Sequence, residues 1–193
     1  MSAGLIILDR DGVINEDSIE FIRSPEQWLA FPQALEAIAR LYQAGWTLAV
    51  ATNQSGIARG YFDEATLEAM HDRMHREVEA AGGRIAHVVY SPHGPDDESD
   101  TRKPKPGLLY QIRDLCQLEG LDQAWMVGDS LRDLQAGQTA GCRTALVLTG
   151  KGEITRGDLD QLDRPDEVVI ADSLLDFANR LLSDDPTMIP PHR

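Results

Sequence analysis

Two carboxylates one residue apart, Asp9 and Asp11, end a short aliphatic run in Leu5-Ile6-Ile7-Leu8-Asp9-Arg10-Asp11-Gly12-Val13-Ile14-Asn15. Side by side they repel, and one pKa rises unless a cation is held between them. A hard divalent ion such as magnesium resolves that conflict, because it prefers oxygen ligands and few protein carboxylates. Gly12 permits a sharp turn directly after a strand. In such a pair one carboxylate can attack phosphorus and form an acyl phosphate. The other can protonate the leaving oxygen and later activate water. An acidic strand-end turn with no ligand has the same local sequence, so the reading depends on what else reaches the site.

Three further segments carry groups suited to an anionic ligand. Thr52-Asn53-Gln54-Ser55-Gly56 offers hydroxyl, amide and backbone N–H donors, with Arg59 nearby for a distal anion. Arg102-Lys103-Pro104-Lys105-Pro106 sets three cations close together in an acidic chain. Lys103 suits point-charge neutralisation of a phosphoryl group, and Arg102 suits forked contact with a second anion. Gly128-Asp129-Ser130-Leu131-Arg132-Asp133 supplies Asp129 as a further metal ligand or a helix N-cap, with Ser130 beside it as a substrate contact. Asp133, one helical turn on, is placed to orient Lys103 or a metal-bound water.

Those four segments need a scaffold that brings them to one rim. Strand-like runs at 5–8, 47–51, 86–90, 124–127, 143–148 and 168–170 alternate with helical patterns at 32–44, 63–81, 106–119, 131–140 and 173–182. Gly45, Gly82, Gly120 and Gly141 follow four of the helices, as helix C-terminal glycines do. The alternation predicts a three-layer αβα sandwich around a doubly wound, mainly parallel sheet with no large cap domain. Ligands gather at the carboxyl ends of such strands, where strand order reverses. Residues 1–183 read as a single domain and 184–193, with three prolines, as a flexible tail.

Composition narrows the partners. A formal net charge of −14 over 193 residues opposes nucleic acid and anionic lipid, which demand basic contacts. No apolar run approaches the roughly 20 residues of a membrane span, and the N-terminus lacks the order of a signal peptide. The two cysteines, Cys116 and Cys142, form no metal or redox motif and read as inert thiols. His71 and His75 have metal-ligand spacing on a helix, but Asp72, Arg73, Arg76 and Glu77 around them read as a solvated face. Gly150-Lys151-Gly152 reads as a turn near the rim. These features predict a cytoplasmic monomer acting on a small molecule.

The order acidic pair, hydroxyl, lysine, acidic residue, each at a strand end, resembles the haloacid-dehalogenase superfamily of phosphatases, and the resemblance covers nearly the whole chain. It implies Asp9 as nucleophile and Asp11 as acid/base, with Thr52 and Lys103 steadying the phosphoryl group. Magnesium would be held by Asp9, the backbone carbonyl of Asp11 and Asp129. Asp-Arg-Asp-Gly-Val-Ile-Asn, Thr-Asn-Gln-Ser-Gly-Ile-Ala-Arg-Gly and Arg-Lys-Pro-Lys-Pro-Gly are similar to the branch holding heptose-bisphosphate and histidinol-phosphate phosphatases. That likeness implies removal of the 7-phosphate of D-glycero-D-manno-heptose 1,7-bisphosphate through an aspartyl phosphate, in nucleotide-heptose and lipopolysaccharide-core synthesis. Asp17, Ser18, Ile19, Glu20, Thr52, Asn53, Gln54 and Ser55 would line the substrate, with Arg102 selecting it.

One departure from the branch concerns zinc. Many members carry Cys-x-His and Cys-x-Cys before the Arg-Lys pair, where this chain has Ser91, Ser99 and Thr101, leaving His93 alone. Hydroxyls are poor zinc ligands, so no structural zinc is expected. Histidinol phosphate or another small phosphomonoester is the nearest alternative substrate. A receiver-like phospho-accepting signalling module is the alternative from another class, although its acceptor follows the third strand rather than the first.

Overall fold

The computed structural model describes residues 3–188. The strands are β1 (Gly4–Leu8), β2 (Trp46–Asn53), β3 (His87–Ser91), β4 (Trp125–Gly128), β5 (Arg143–Val147) and β6 (Val168–Ala171). They form one sheet in the order β3-β2-β1-β4-β5-β6, and every neighbouring pair is parallel. The helices are α1 (Pro32–Gln43), α2 (Glu64–Ala80), α3 (Gly107–Leu115), α4 (Leu131–Ala140), α5 (Gly152–Arg156) and α6 (Leu174–Leu182). Among the described residues no helix is long and apolar enough to cross a membrane.

Both faces of the sheet are buried, which explains why its strands are apolar throughout rather than alternating. Ile6 and Leu8 of β1 join one core with Ile38 of α1, Met70 and Met74 of α2, and Phe177 of α6. Leu5 and Ile7 turn to the other face and pack with Leu108 and Ile112 of α3 and Ala136 of α4. These are the three expected layers. The segments from β1 to α1 and from β2 to α2 hold only turns, a 3-10 turn at Pro25–Gln27 and isolated bridges at Asn15, so no cap domain covers the rim.

Four local expectations need correction. The pattern at 106–119 predicts a helix ended by Gly120, but α3 stops at Leu115. Gln117 adopts φ 55, and Leu118 N donates to Arg113 O (3.0 Å) while Gln117 N donates to Asp114 O (3.1 Å). This is a Schellman ending with glutamine in the place glycine usually takes. Residues 152–156, outside every expected helical pattern and starting in the expected turn at Gly150-Lys151-Gly152, form α5, which is too short to show a helical period. His71 is not on a solvated face. It lies with Leu67, Met70, Met74 and Val78 on the buried stripe of α2. Its charged sequence neighbours point away around the helix.

The expected tail at 184–193 is the fourth. Its described part is docked rather than loose. Arg180 donates to Ile170 O (2.6 Å), Asp185 Oδ2 (3.3 Å) and Thr187 Oγ1 (2.8 Å). Met188, 4% exposed, joins the core beside α1 and α6. Residues 189–193 of that expectation lie outside the described residues. Met188→Ala should lower the unfolding free energy by about 2 kcal/mol, the lower end of the cost of truncating a buried methionine. Urea unfolding measures this, and a loose segment would give no change.

Candidate active site

Strand order reverses at β1, because the chain runs outward through β2 and β3 and returns to β4 on the other side. Asp9 leaves β1 there, its N–H bonded to Val127 O (3.0 Å), and Asp129 leaves β4 beside it. Carboxylate oxygens of Asp9, Asp129 and Asp133 lie within 4.8 Å of one another. Lys103, 1% exposed, reaches into this cluster. Its Nζ contacts Asp9 Oδ1 (2.9 Å), Asp133 Oδ1 (2.7 Å) and Ala51 O (2.7 Å), which uses all three N–H bonds. Asp133 Oδ2 accepts from Ser130 N (3.1 Å) and Ser130 Oγ (2.8 Å) at the start of α4. The helix cap is therefore Ser130, which leaves Asp129 to the cluster.

The electrostatics are those of an anionic site short of positive charge. Burial raises the pKa of Asp9 to about 6, with Asp133 and Asp11 adding to the rise and Lys103 opposing it. Burial, then Asp133 and Asp9, push Asp129 to about 8 against the Lys151 N–H. Burial also disfavours charge on Lys103, yet Asp133 and Asp9 outweigh it and its pKa is raised. With Asp133 satisfied by Lys103 and Ser130, the unmet charge falls on Asp9 and Asp129. An all-oxygen, buried and negative donor set fits magnesium. The Asp11 carboxylate is not in this cluster.

Two glycines make room for Asp129. Gly12 (φ 84) and Gly150 (φ 58) hold conformations that side chains rarely adopt, and a Cβ on either would collide with Asp129 Oδ2. Thr149 Oγ1 donates to Gly12 O (2.6 Å), Lys151 N to Asp129 Oδ2 (2.8 Å) and Thr155 Oγ1 to Asp129 O (2.8 Å). The residues after β5 thus fix the second carboxylate from behind.

Asp11 has the opposite environment. Its Oδ1 accepts from Arg10 Nε (3.0 Å), Arg10 Nη2 (2.9 Å) and Asn15 Nδ2 (2.9 Å). Its Oδ2 accepts from Arg10 Nη2 (3.1 Å) and Gln54 Nε2 (3.0 Å). Burial works to raise its pKa, but Arg10, Asn15 and Gln54 prevail and hold it low. The same Gln54 amide donates to Thr52 Oγ1 (2.9 Å), joining the hydroxyl to the acidic pair.

Around these groups opens a cleft of about 270 Å³. Asp9, Asp11, Thr52, Asn53, Gln54, Ser55, Lys103 and Ser130 line it. Arg59, Arg102 and Arg132 line it as well. Burial, then Arg132 and Arg59, depress the pKa of Arg102, so the three guanidinium groups are close enough to repel. Asp17, Ser18 and Ile19 also line the cleft, where Asp17 pairs with Lys151 (2.9 Å). Glu20, expected among them, is turned out of the cleft. It lies exposed in a turn where Ser18 Oγ accepts from its N–H (3.1 Å) and its carbonyl accepts from Arg23 Nε (2.8 Å). Asn53 lines the cleft, but its amide is engaged with the Lys103 backbone in both directions, each at 3.0 Å. It anchors the lysine rather than presenting a free amide.

The segment before Lys103 is closed by hydroxyls. Thr101 Oγ1 bonds Ser91 Oγ (3.1 Å) and Ser99 Oγ (2.9 Å), and Arg102 Nη1 donates to the His93 carbonyl (2.9 Å). Three residues that sequence reasoning missed also serve the site. Arg10 was hidden inside the Asp-x-Asp spacing, Arg132 was one residue from a singled-out aspartate, and Lys151 was read as part of a turn.

Both raised carboxylates bind protons in the folded protein at pH values where the unfolded chain has lost them. Without metal their contribution to stability is full below about pH 4 and is lost as pH rises through about 6 and about 8. Magnesium competes with those protons, so its stabilising effect should grow between pH 5.5 and 8.5. Thermal unfolding with magnesium or EDTA at each pH tests this; a pH-independent increment would contradict it. Elemental analysis should find substoichiometric zinc, since hydroxyls occupy the loop.

Residues 100–177 match the family model described as HAD-hydrolase-like. The D-glycero-beta-D-manno-heptose-1,7-bisphosphate 7-phosphatase of Pseudomonas aeruginosa is 52% identical over 182 residues, 94% of this chain and 99% of its own length. The protein of the same name from Bordetella bronchiseptica is 50% identical over 182 residues, covering 93% and 98%. A crystal structure of the B. bronchiseptica D,D-heptose 1,7-bisphosphate phosphatase complexed with magnesium and phosphate superposes with TM-score 0.87 at 48% identity, covering 95% of this chain and 99% of that one. Carrying the acidic pair, the buried lysine and the strand-end aspartate on the expected sheet, the chain belongs to the heptose-1,7-bisphosphate 7-phosphatase family of HAD-like hydrolases.

Proposed function

We propose that the chain removes the 7-phosphate of D-glycero-D-manno-heptose 1,7-bisphosphate, in the nucleotide-heptose synthesis that serves lipopolysaccharide cores. Beyond family membership, one observation carries the substrate. Arg59, Arg102 and Arg132 cluster in the same cleft that Asp9 and Lys103 line. A ligand with two anionic groups would satisfy both Lys103 and the arginines. Histidinol phosphate would bring its ammonium towards three guanidinium groups, and the acidic residues 96–100 do not line the cleft.

In this mechanism Asp9 attacks the 7-phosphorus in line with the sugar oxygen. Both protein donors to Asp9, Arg10 N (2.8 Å) and Lys103 Nζ (2.9 Å), fall on Oδ1 and leave the other oxygen unconsumed by them. Lys103 and Thr52 steady the charged phosphoryl oxygens, and electrostatic placement of this kind dominates phosphoryl transfer. Asp9 and Asp129 would hold a magnesium ion, which would supply further neutralisation of the phosphoryl charge; the B. bronchiseptica relative is complexed with magnesium and phosphate. Asp11 gives its proton to the leaving sugar oxygen. Its ionised form then takes a proton from the water that cleaves the aspartyl phosphate and regenerates Asp9. The lowered pKa of Asp11 makes the anion its resting state, so the proton it passes to the sugar oxygen is taken up in the substrate complex from a monoanionic 7-phosphate or from solvent, and the anion then serves as base.

The protein acts as a cytoplasmic monomer on this small metabolite, its net charge of −14 opposing nucleic acid and anionic membranes. Phosphate release with magnesium from heptose 1,7-bisphosphate and from histidinol phosphate tests the reading, with Asp9→Asn as control. The bisphosphate should be strongly preferred and the control inactive. Arg102→Ala should raise KM for the bisphosphate roughly ten- to hundred-fold, the worth of a charge-assisted contact, while histidinol phosphate turnover stays as it was. Preference for histidinol phosphate would overturn the substrate.

A further inference from the structure

We infer that His71 is a positioning residue for the proposed acid/base Asp11, acting through the buried guanidinium of Arg10. The inference rests on the reading of Asp11 given above. Arg10 is 0% exposed and turns its Nε and Nη2 towards Asp11. Its remaining nitrogen, Nη1, meets His71 Nε2 at 3.3 Å. A guanidinium has no acceptor, so Nε2 must accept and the imidazole proton must sit on Nδ1. The ring is thereby defined as a neutral acceptor. Burial and then the Arg10 charge push its pKa down to about 3, so it keeps that form across the working range.

A histidine merely filling the core would need no such partner, and any apolar residue on the α2 stripe would serve. Here a buried cation gains its second polar contact from the ring, and buried donors left unpaired cost heavily. The ring also stands 6.2 Å from Tyr90 on β3, which limits its tilt. The chain of contacts runs from helix α2 through Arg10 to both oxygens of Asp11 and so sets where that carboxylate points. His71 itself does not line the cleft. Removing its acceptor should therefore change the rate of proton transfer and leave substrate binding alone.

The test compares His71→Leu and His71→Met, which keep bulk without the acceptor, with His71→Gln, whose side-chain oxygen can replace Nε2. With heptose 1,7-bisphosphate and saturating magnesium, kcat of the apolar variants should fall roughly ten-fold, the usual cost of losing a partner that orients a catalytic group. KM should not change, and His71→Gln should recover most of the rate. In the Asp11→Asn background the His71 changes should cost nothing further, because both act on one step. Losses that multiply in the double variants, a rise in KM, or a lowered melting temperature with kcat intact would each overturn the inference. Full kcat in Asp11→Asn alone would sink the Asp11 assignment and this inference with it. Full kcat in folded apolar variants beside an impaired Asp11→Asn sinks only the inference.

Discussion

The site depends on one desolvated ammonium. Lys103 is buried where Asp9, Asp133 and the Ala51 carbonyl converge, and the interior tolerates such a charge only when every donor is met. Meeting them requires β1, the end of β2, the loop before α3 and the first turn of α4 to arrive together. The Asn53 amide holds the Lys103 backbone in place, and Ser130 holds the second oxygen of Asp133. Removing any partner leaves a charge unpaired in low dielectric, which is costlier than the pair is stabilising. The lysine thus ties the fold to the chemistry. It cannot balance three carboxylates, and the shortfall on Asp9 and Asp129 is the opening for a divalent ion.

Arg10 keeps the second acidic function apart from the first. Two carboxylates so close in sequence would ordinarily share one electrostatic fate, yet one is raised and the other lowered. The separation comes from side-chain direction. Asp9 faces Lys103, while Asp11 turns to the guanidinium beside it in sequence and to Asn15 and Gln54. Pairs of titratable groups pushed apart in this way are suited to different roles in one reaction. The field of the cleft is equally local. A chain of net charge −14 sets Arg59, Arg102 and Arg132 in one cleft, so the global charge says little about what this cleft attracts.

The sequence was most legible where physics leaves few choices. Strands buried on both faces must be apolar, so Leu5 to Leu8 and its counterparts stood out, and polar residues directly after them were already site candidates. Contacts made by side-chain direction were harder to see. His71 looked solvent-facing because its sequence neighbours are charged, although it shares a stripe with Leu67, Met70 and Met74. Arg10 has no signature beyond its position between two aspartates. Gln117 ends α3 in a conformation that sequence habit reserves for glycine, and α5 is too short for any period to show. Glu20 belonged to the expected substrate loop, but the turn that brings Asp17, Ser18 and Ile19 to the cleft carries it outwards.

Without a cap, the walls of the cleft must keep their own shape. Phe21, at φ 67, packs edge-on against Tyr61 with ring centroids 5.2 Å apart. Arg23 lies over the Tyr61 ring at 4.2 Å and Arg59 over Phe21 at 5.5 Å. The two loops that would otherwise be free are therefore locked to each other by aromatic and cation–π contacts. Arg59 is placed by an aromatic face, not by a carboxylate, so its charge is not cancelled before a ligand arrives. Arg102 is held by the neutral carbonyl of His93, and Asp97 acts on its charge less than the repulsion of Arg132 and Arg59 does. Where a buried cation must be neutralised, a cation at an open rim can rest mainly on neutral partners and keep its charge for a ligand. That contrast between Lys103 and Arg102, adjacent in sequence, would let one short loop serve both anionic groups of the proposed bisphosphate.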